Sequence, residues 1–196
     1  MRNFFRVNLG VIILTGVLMM SCAHEGRYSV YRSQKPGLGF EWTVPFDWAR
    51  QEFGAPLLGF AGVTFMEKKQ GPEIYRANFV VTAKKAAAFK LPSPTLEAVT
   101  EDTVQRCLKL NNARILKRDS MSVAGIKGSM IELTYRGLSH IYTPGSKEVP
   151  LHQVIIIVPH RDAFYIIRYI NEENKFSSLD AVFRHALKTF RFVEPA

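Results

Sequence analysis

Short alternating runs of apolar and polar residues make up most of this chain, and two stretches switch to helical spacing. Gly39-Phe40-Glu41-Trp42-Thr43-Val44-Pro45 alternates and stops at a proline, the signature of a short strand. Further strands are predicted at Tyr28–Tyr31, Ala49–Phe53, Val63–Lys68 and Ile74–Ala83, with Gln70-Gly71-Pro72 as a turn. After the first helix the pattern returns. Ala113–Val123 and Ile126–Tyr135 are joined by Ala124-Gly125, and Val149–Val158 turns through Pro159-His160-Arg161-Asp162 into Ala163–Asn171. That last run is apolar at successive positions, so it is expected to be a central strand covered on both faces.

The first helical stretch carries Leu96, Val99, Thr103, Cys107 and Leu110 on one stripe. Ser93-Pro94 reads as its N-cap and first position, and Asn111-Asn112 as its end. The second places Phe176, Leu179, Val182, Phe183, Ala186, Leu187 and Phe190 on a broad apolar face. Ser177 and Asp180 resemble a capping box at its start, and Arg191–Val193 reads as a closing strand. The implied fold class is α+β, a mostly antiparallel sheet with helices packed on its two faces.

The N-terminus changes the picture. Arg2 and Arg6 precede an apolar run from about Leu9 to Met20, too short for a bilayer span of roughly 20 residues. The run ends in Leu18-Met19-Met20-Ser21-Cys22, which resembles the cleavage and lipidation site of a bacterial lipoprotein. Met19 stands where such sites usually carry Leu. Three segments follow from this: a signal peptide at 1–21, a lipidated N-terminus and tether at 22–37, and one domain at 38–196. The expected membrane contact is through acyl chains on Cys22. Ala23 stands where an inner-membrane retention signal is often Asp, which favours the outer membrane.

Net charge is +9, and loss of Arg2 and Arg6 leaves +7. The basic residues are scattered, with pairs such as Lys68-Lys69, Lys84-Lys85 and Lys117-Arg118 the longest clusters. Nucleic-acid binding concentrates charge on one face or helix, so no nucleic-acid partner is expected. With Cys22 acylated, Cys107 has no intramolecular partner and the fold must rest on its core. Cys107 itself reads as an inert packing residue rather than a reactive thiol.

No Gly-x-Ser-x-Gly, phosphate-binding glycine loop, Cys-x-x-Cys or His-Glu-x-x-His is present, and neither an enzymatic activity nor a cofactor is expected. His140 and His152 flank the loop around Pro144-Gly145. If residues 139–142 paired with 149–152, the two imidazoles would stand close enough to share a metal, with Glu148 as a third ligand. The alternative is two surface histidines beside a loop. His160 reads as solvated in its turn, His24 as part of the tether and His185 as a helix-flank residue. Trp42, Phe46 and Trp48 read as a plug holding the proline turn against the sheet, the alternative being a carbohydrate-stacking platform. The Ala86-Ala87-Ala88 segment between Lys84-Lys85 and Lys90 reads as a solvated connector rather than a lid.

Three parts of the chain resemble the PsbP-like family. These are residues 39–48, then Val123-Ala124-Gly125-Ile126-Lys127-Gly128 with the strand that follows, and the ending from Phe164-Tyr165-Ile166-Ile167 through Phe183 to Phe192. The family includes an extrinsic photosystem II protein, a Ran-binding import factor, DcrB-like proteins and bacterial lipoproteins. The resemblance covers about residues 37–193. It implies a fold that hosts unrelated binding roles, and no functional residue is carried over. The expectation is a non-catalytic, lipid-anchored envelope protein that binds a partner protein or an envelope ligand. The alternatives are a metal- or ligand-handling protein, or a hydrolase, using His140 and His152, and a chaperone-like module for exported clients.

Overall fold

The computed structural model describes residues 28–33, 35–68, 75–139 and 146–194. The first strands are β1 (Tyr28–Arg32), β2 (Phe40–Pro45), β3 (Ala49–Ala55), β4 (Phe60–Met66) and β5 (Asn78–Lys85). Helix α1 (Leu96–Cys107) leads to β6 (Arg114–Val123), β7 (Ile126–Leu138), β8 (Glu148–His160) and β9 (Ala163–Glu172). Helix α2 (Asp180–Thr189) and a short β10 (Arg191–Phe192) finish the described chain.

Seven strands form one sheet in the order β3-β4-β5-β9-β8-β7-β6, and β1-β2-β10 form a smaller one. Every pairing is antiparallel. The meander β6 to β9 runs back until β9 pairs with β5, which puts β9 in the middle of the sheet, as its continuous apolar run predicts. The β6–β7 turn is a two-residue hairpin at Ala124-Gly125, with φ of 51° and 78°. Positive φ at both central residues matches the right-handed strand twist.

The two faces of the large sheet carry separate cores. Along β8, Ile156 and Val158 belong to one core, and Ile155 and Ile157 to the other. The first core holds Phe40 and Trp42 of β2 together with Phe79, Tyr169, Phe183, Ala186 and Phe190. Its rings meet closely: Phe183 of α2 lies 5.3 Å from Phe79 and 5.1 Å from Tyr169. The second core holds Val99, Val104 and Cys107 of α1 against Ile131, Leu133, Ile155, Ile157 and Ile166.

Several boundaries differ from the sequence expectation. Strand β5 starts at Asn78 rather than Ile74, and β4 at Phe60 rather than Val63. The cap of α1 is Thr95, not Ser93: its backbone is extended, and its Oγ1 accepts the Ala98 N–H at 3.2 Å. The capping box at Ser177 and Asp180 does not form. A 3-10 segment, Glu173–Leu179, precedes α2, and the Asp180 carboxylate instead accepts from Arg184 Nε at 2.6 Å.

Candidate functional site

Strand register places one of the two histidines, His152. The β7–β8 ladder runs from Leu138↔Glu148 to Ser129↔Ile157, so His152 stands opposite Thr134 and not opposite residues 139–142. The register differs from the expected one by five residues, with His152 opposite Thr134 rather than Ser139. His152 Nε2 lies 2.8 Å from Glu132 Oε1, and its ring is stacked on Phe176 at 3.7 Å between centroids. Glu148 is four residues from His152 on the same strand, about 13 Å along it, too far to share an ion. Its carboxylate accepts from Arg136 Nε at 3.1 Å and from Asn111 Nδ2. His140, Cys22 and His24 lie outside the described residues. Among the described residues, no three His, Cys, Asp or Glu side chains converge to hold a metal.

Of the remaining singled-out side chains, all but Phe46 make packing contacts. Trp42 is fully buried and meets Phe65 and Phe79, each at 5.7 Å. Trp48 lies 4.6 Å from Phe79, while Phe46 points to solvent. The three rings form no common platform. His160, expected in solvent, lies flat on Phe192 at 3.9 Å. Its pKa is lowered by burial first and by Arg161 second, with Glu194 opposing. His185 rests 4.5 Å from Tyr28.

A cleft of about 500 Å³ opens between α1 and the sheet. Its origin is the limited width of α1. The helix covers β7, β8 and part of β9, but β5 is covered on one face only, so Val80, Thr82 and Lys84 remain half-buried. Gly62, opposite Thr82, adds no side chain to the floor, and the Phe53 ring occupies the space a Cβ would need. Thr82, Ile166, Arg168 and Gln153 line the floor; Thr103, Arg106 and Cys107 line the helical side. Phe60, Phe89, Leu110 and Tyr135 complete the rim.

The electrostatics of the cleft centre on Arg168. Its register partners are Val80 on β5 and Ile155 on β8, so apolar side chains flank it on both sides. No carboxylate pairs with it and no hydrogen bond holds its guanidinium among the described residues. Burial pulls its pKa below the ordinary guanidinium value, against the nearby Cys107 and Tyr135 groups. A guanidinium nonetheless keeps its proton in a protein. At the mouth, Asp102 is already engaged by Arg106 Nε at 2.9 Å. The Lys84 ammonium sits 4.2 Å from the Phe89 ring centroid, and its pKa is lowered by burial first and by Arg106 second. Burial raises the Cys107 thiol above its usual value and pushes Tyr135 up to about 12, so both stay protonated at neutral pH.

Sequence pattern alone did not disclose this site. The signal was present: Arg168 is the one charge inside the run Phe164 to Ile170. The run shows that the strand is central. It does not show which neighbouring strands leave the arginine without a counter-charge.

No family model matches the sequence, and no curated protein matches it. Solved structures match it in shape. The cyanobacterial PsbP protein CyanoP from Synechocystis sp. PCC 6803 is 13% identical, with a TM-score of 0.54 over 89% of this chain and 98% of that one. LpqN of Mycobacterium tuberculosis, a protein involved in cell envelope biogenesis, is 9% identical, with a TM-score of 0.52 over 87% of this chain and 92% of that one. At such identities the likeness speaks for architecture alone. On that architecture, the chain has a PsbP-like fold.

Proposed function

We propose that this chain is a non-catalytic binding protein of the bacterial cell envelope, held on a membrane by acylated Cys22, with the cleft beside α1 as its ligand site. The observation that carries the reading is the cleft itself. It joins apolar walls from Phe60, Phe89 and Ile166 to a few inward polar groups, the usual make-up of a small-molecule site, and its volume lies in the ordinary range. Two further points support it. The separate α1 and α2 cores fit a sandwich with one helix on each face of the large sheet, a rigid frame for a site at the helix–sheet seam. LpqN, which has the same architecture, is involved in cell envelope biogenesis.

The test is a plug in the cleft floor. Thr82→Trp adds an aromatic ring at a half-buried strand position, where aromatics are tolerated. The full chain is isolated from envelopes with and without the substitution, and its organic extract is compared by mass spectrometry. A compound that accompanies the parent and is lost from Thr82→Trp is expected. Identical extracts, or no compound with either protein, would sink the reading.

A further inference from the structure

We infer that the cleft takes an amphiphile with an anionic, two-oxygen head group, bound by Arg168, and an apolar chain laid along the cleft walls. This rests on the proposed ligand site and specifies its ligand class.

Arg168 is half-buried in the open cleft, and a partly desolvated charge gains from an anionic partner that hydrogen-bonds it. Here the guanidinium lies on the central strand between Val80 and Ile155, with no counter-ion among the described residues. No ring takes its charge either: among the described residues the cation–ring contacts are Arg50 on Tyr31 and Lys84 on Phe89. Asp102, the acidic residue lining the cleft, is held by Arg106. With Arg106 and Asp102 paired, Arg168 and Lys84 leave the lining at a net charge of +2, the sign that draws in an anion. A guanidinium presents parallel N–H donors that suit a carboxylate or phosphate.

The rest of the cleft sets the remainder of the ligand. A volume of about 500 Å³ is far larger than a bare oxyanion needs. Ile166, Ile170, Phe60, Phe89 and Leu110 offer apolar surface on either side of Arg168. A linear or aromatic apolar group fits that surface, and its burial supplies affinity that the head group alone lacks.

The test uses the full chain in phospholipid nanodiscs, titrated calorimetrically with octanoate, octyl phosphate, octanol, octylammonium and inorganic phosphate, with empty discs subtracted. Saturable one-site binding of octanoate or octyl phosphate is expected, and the comparison of the two identifies the head group. Octanol, octylammonium and inorganic phosphate should bind at least about tenfold more weakly. Arg168→Gln should lose at least about tenfold for the anionic amphiphiles and leave octanol unchanged, while Arg168→Lys retains part of the binding. Arg168→Met serves as the fold control: with an uncompensated charge removed, it should melt no lower than the parent. The inference is overturned if neither anionic amphiphile binds, if octylammonium binds as well as octanoate, if Arg168→Gln binds octanoate like the parent, or if Arg168→Met melts well below it. Should a compound sensitive to Thr82→Trp still accompany Arg168→Gln, the anionic head group falls and the cleft reading stands.

Discussion

His160 closes β8 with its imidazole flat against Phe192, and the neutral ring is the form that this contact favours. Burial and the neighbouring Arg161 both lower its folded pKa, and Glu194 only partly opposes them. The unfolded chain therefore takes up the proton first as pH falls. The stability that the neutral ring contributes is complete above the ordinary imidazole value, about 6.5, and is lost as pH falls through that value toward the lower folded one. His160→Phe keeps a ring on Phe192 and removes the titration. Thermal melts at about pH 7.5 and about pH 5 should show a larger drop for the parent than for the variant. Equal drops would mean that His160 plays no part in the acid sensitivity.

Among the elements, α1 shows both what sequence pattern reveals and where it stops. Its stripe of Val99, Thr103 and Cys107 is buried as the 3.6-residue spacing requires. Its start is ambiguous in the sequence because Ser93 and Thr95 flank Pro94, and both are good caps. The hydrogen bond from the Ala98 N–H to Thr95 Oγ1 settles the choice. Thr95→Ala should destabilise the domain by about 1 kcal/mol, whereas Ser93→Ala should have little effect, as chemical denaturation will measure. Reversed effects would restore Ser93 as the cap. Strands β6 to β9 were legible for a similar reason: the Ala124-Gly125 and Arg161-Asp162 turns pin their hairpins within one or two residues. The pairing of His152 was not legible. The segment joining β7 to β8 is longer, so composition does not fix its register, and an offset of a few residues moves a side chain to a different neighbour. The isolation of Arg168 is set at a longer range still, since it depends on β5, β8 and α1 together.

At the scale of the whole molecule, the small sheet and the cleft occupy opposite faces of the large sheet. Trp42 and Phe40 of β2 belong to the core shared with α2, whereas the cleft adjoins the core built on α1. Strand β1, in the small sheet, begins at Tyr28, six residues after Cys22. Six residues span at most about 20 Å, so an acylated Cys22 would hold the small-sheet side of the domain close to the bilayer. An anchor on that side would put the bilayer on the face of the large sheet opposite the cleft. Cys22→Ala is the substitution that tests the anchor. The parent should incorporate a labelled fatty acid and sediment with membranes, because two or more acyl chains suffice for stable anchoring. The variant should carry no label, and it should appear as a soluble exported protein or an unprocessed precursor. A variant that is labelled and sediments like the parent would show that Cys22 is not the acylated residue, and the placement of the cleft relative to the membrane would fall with it.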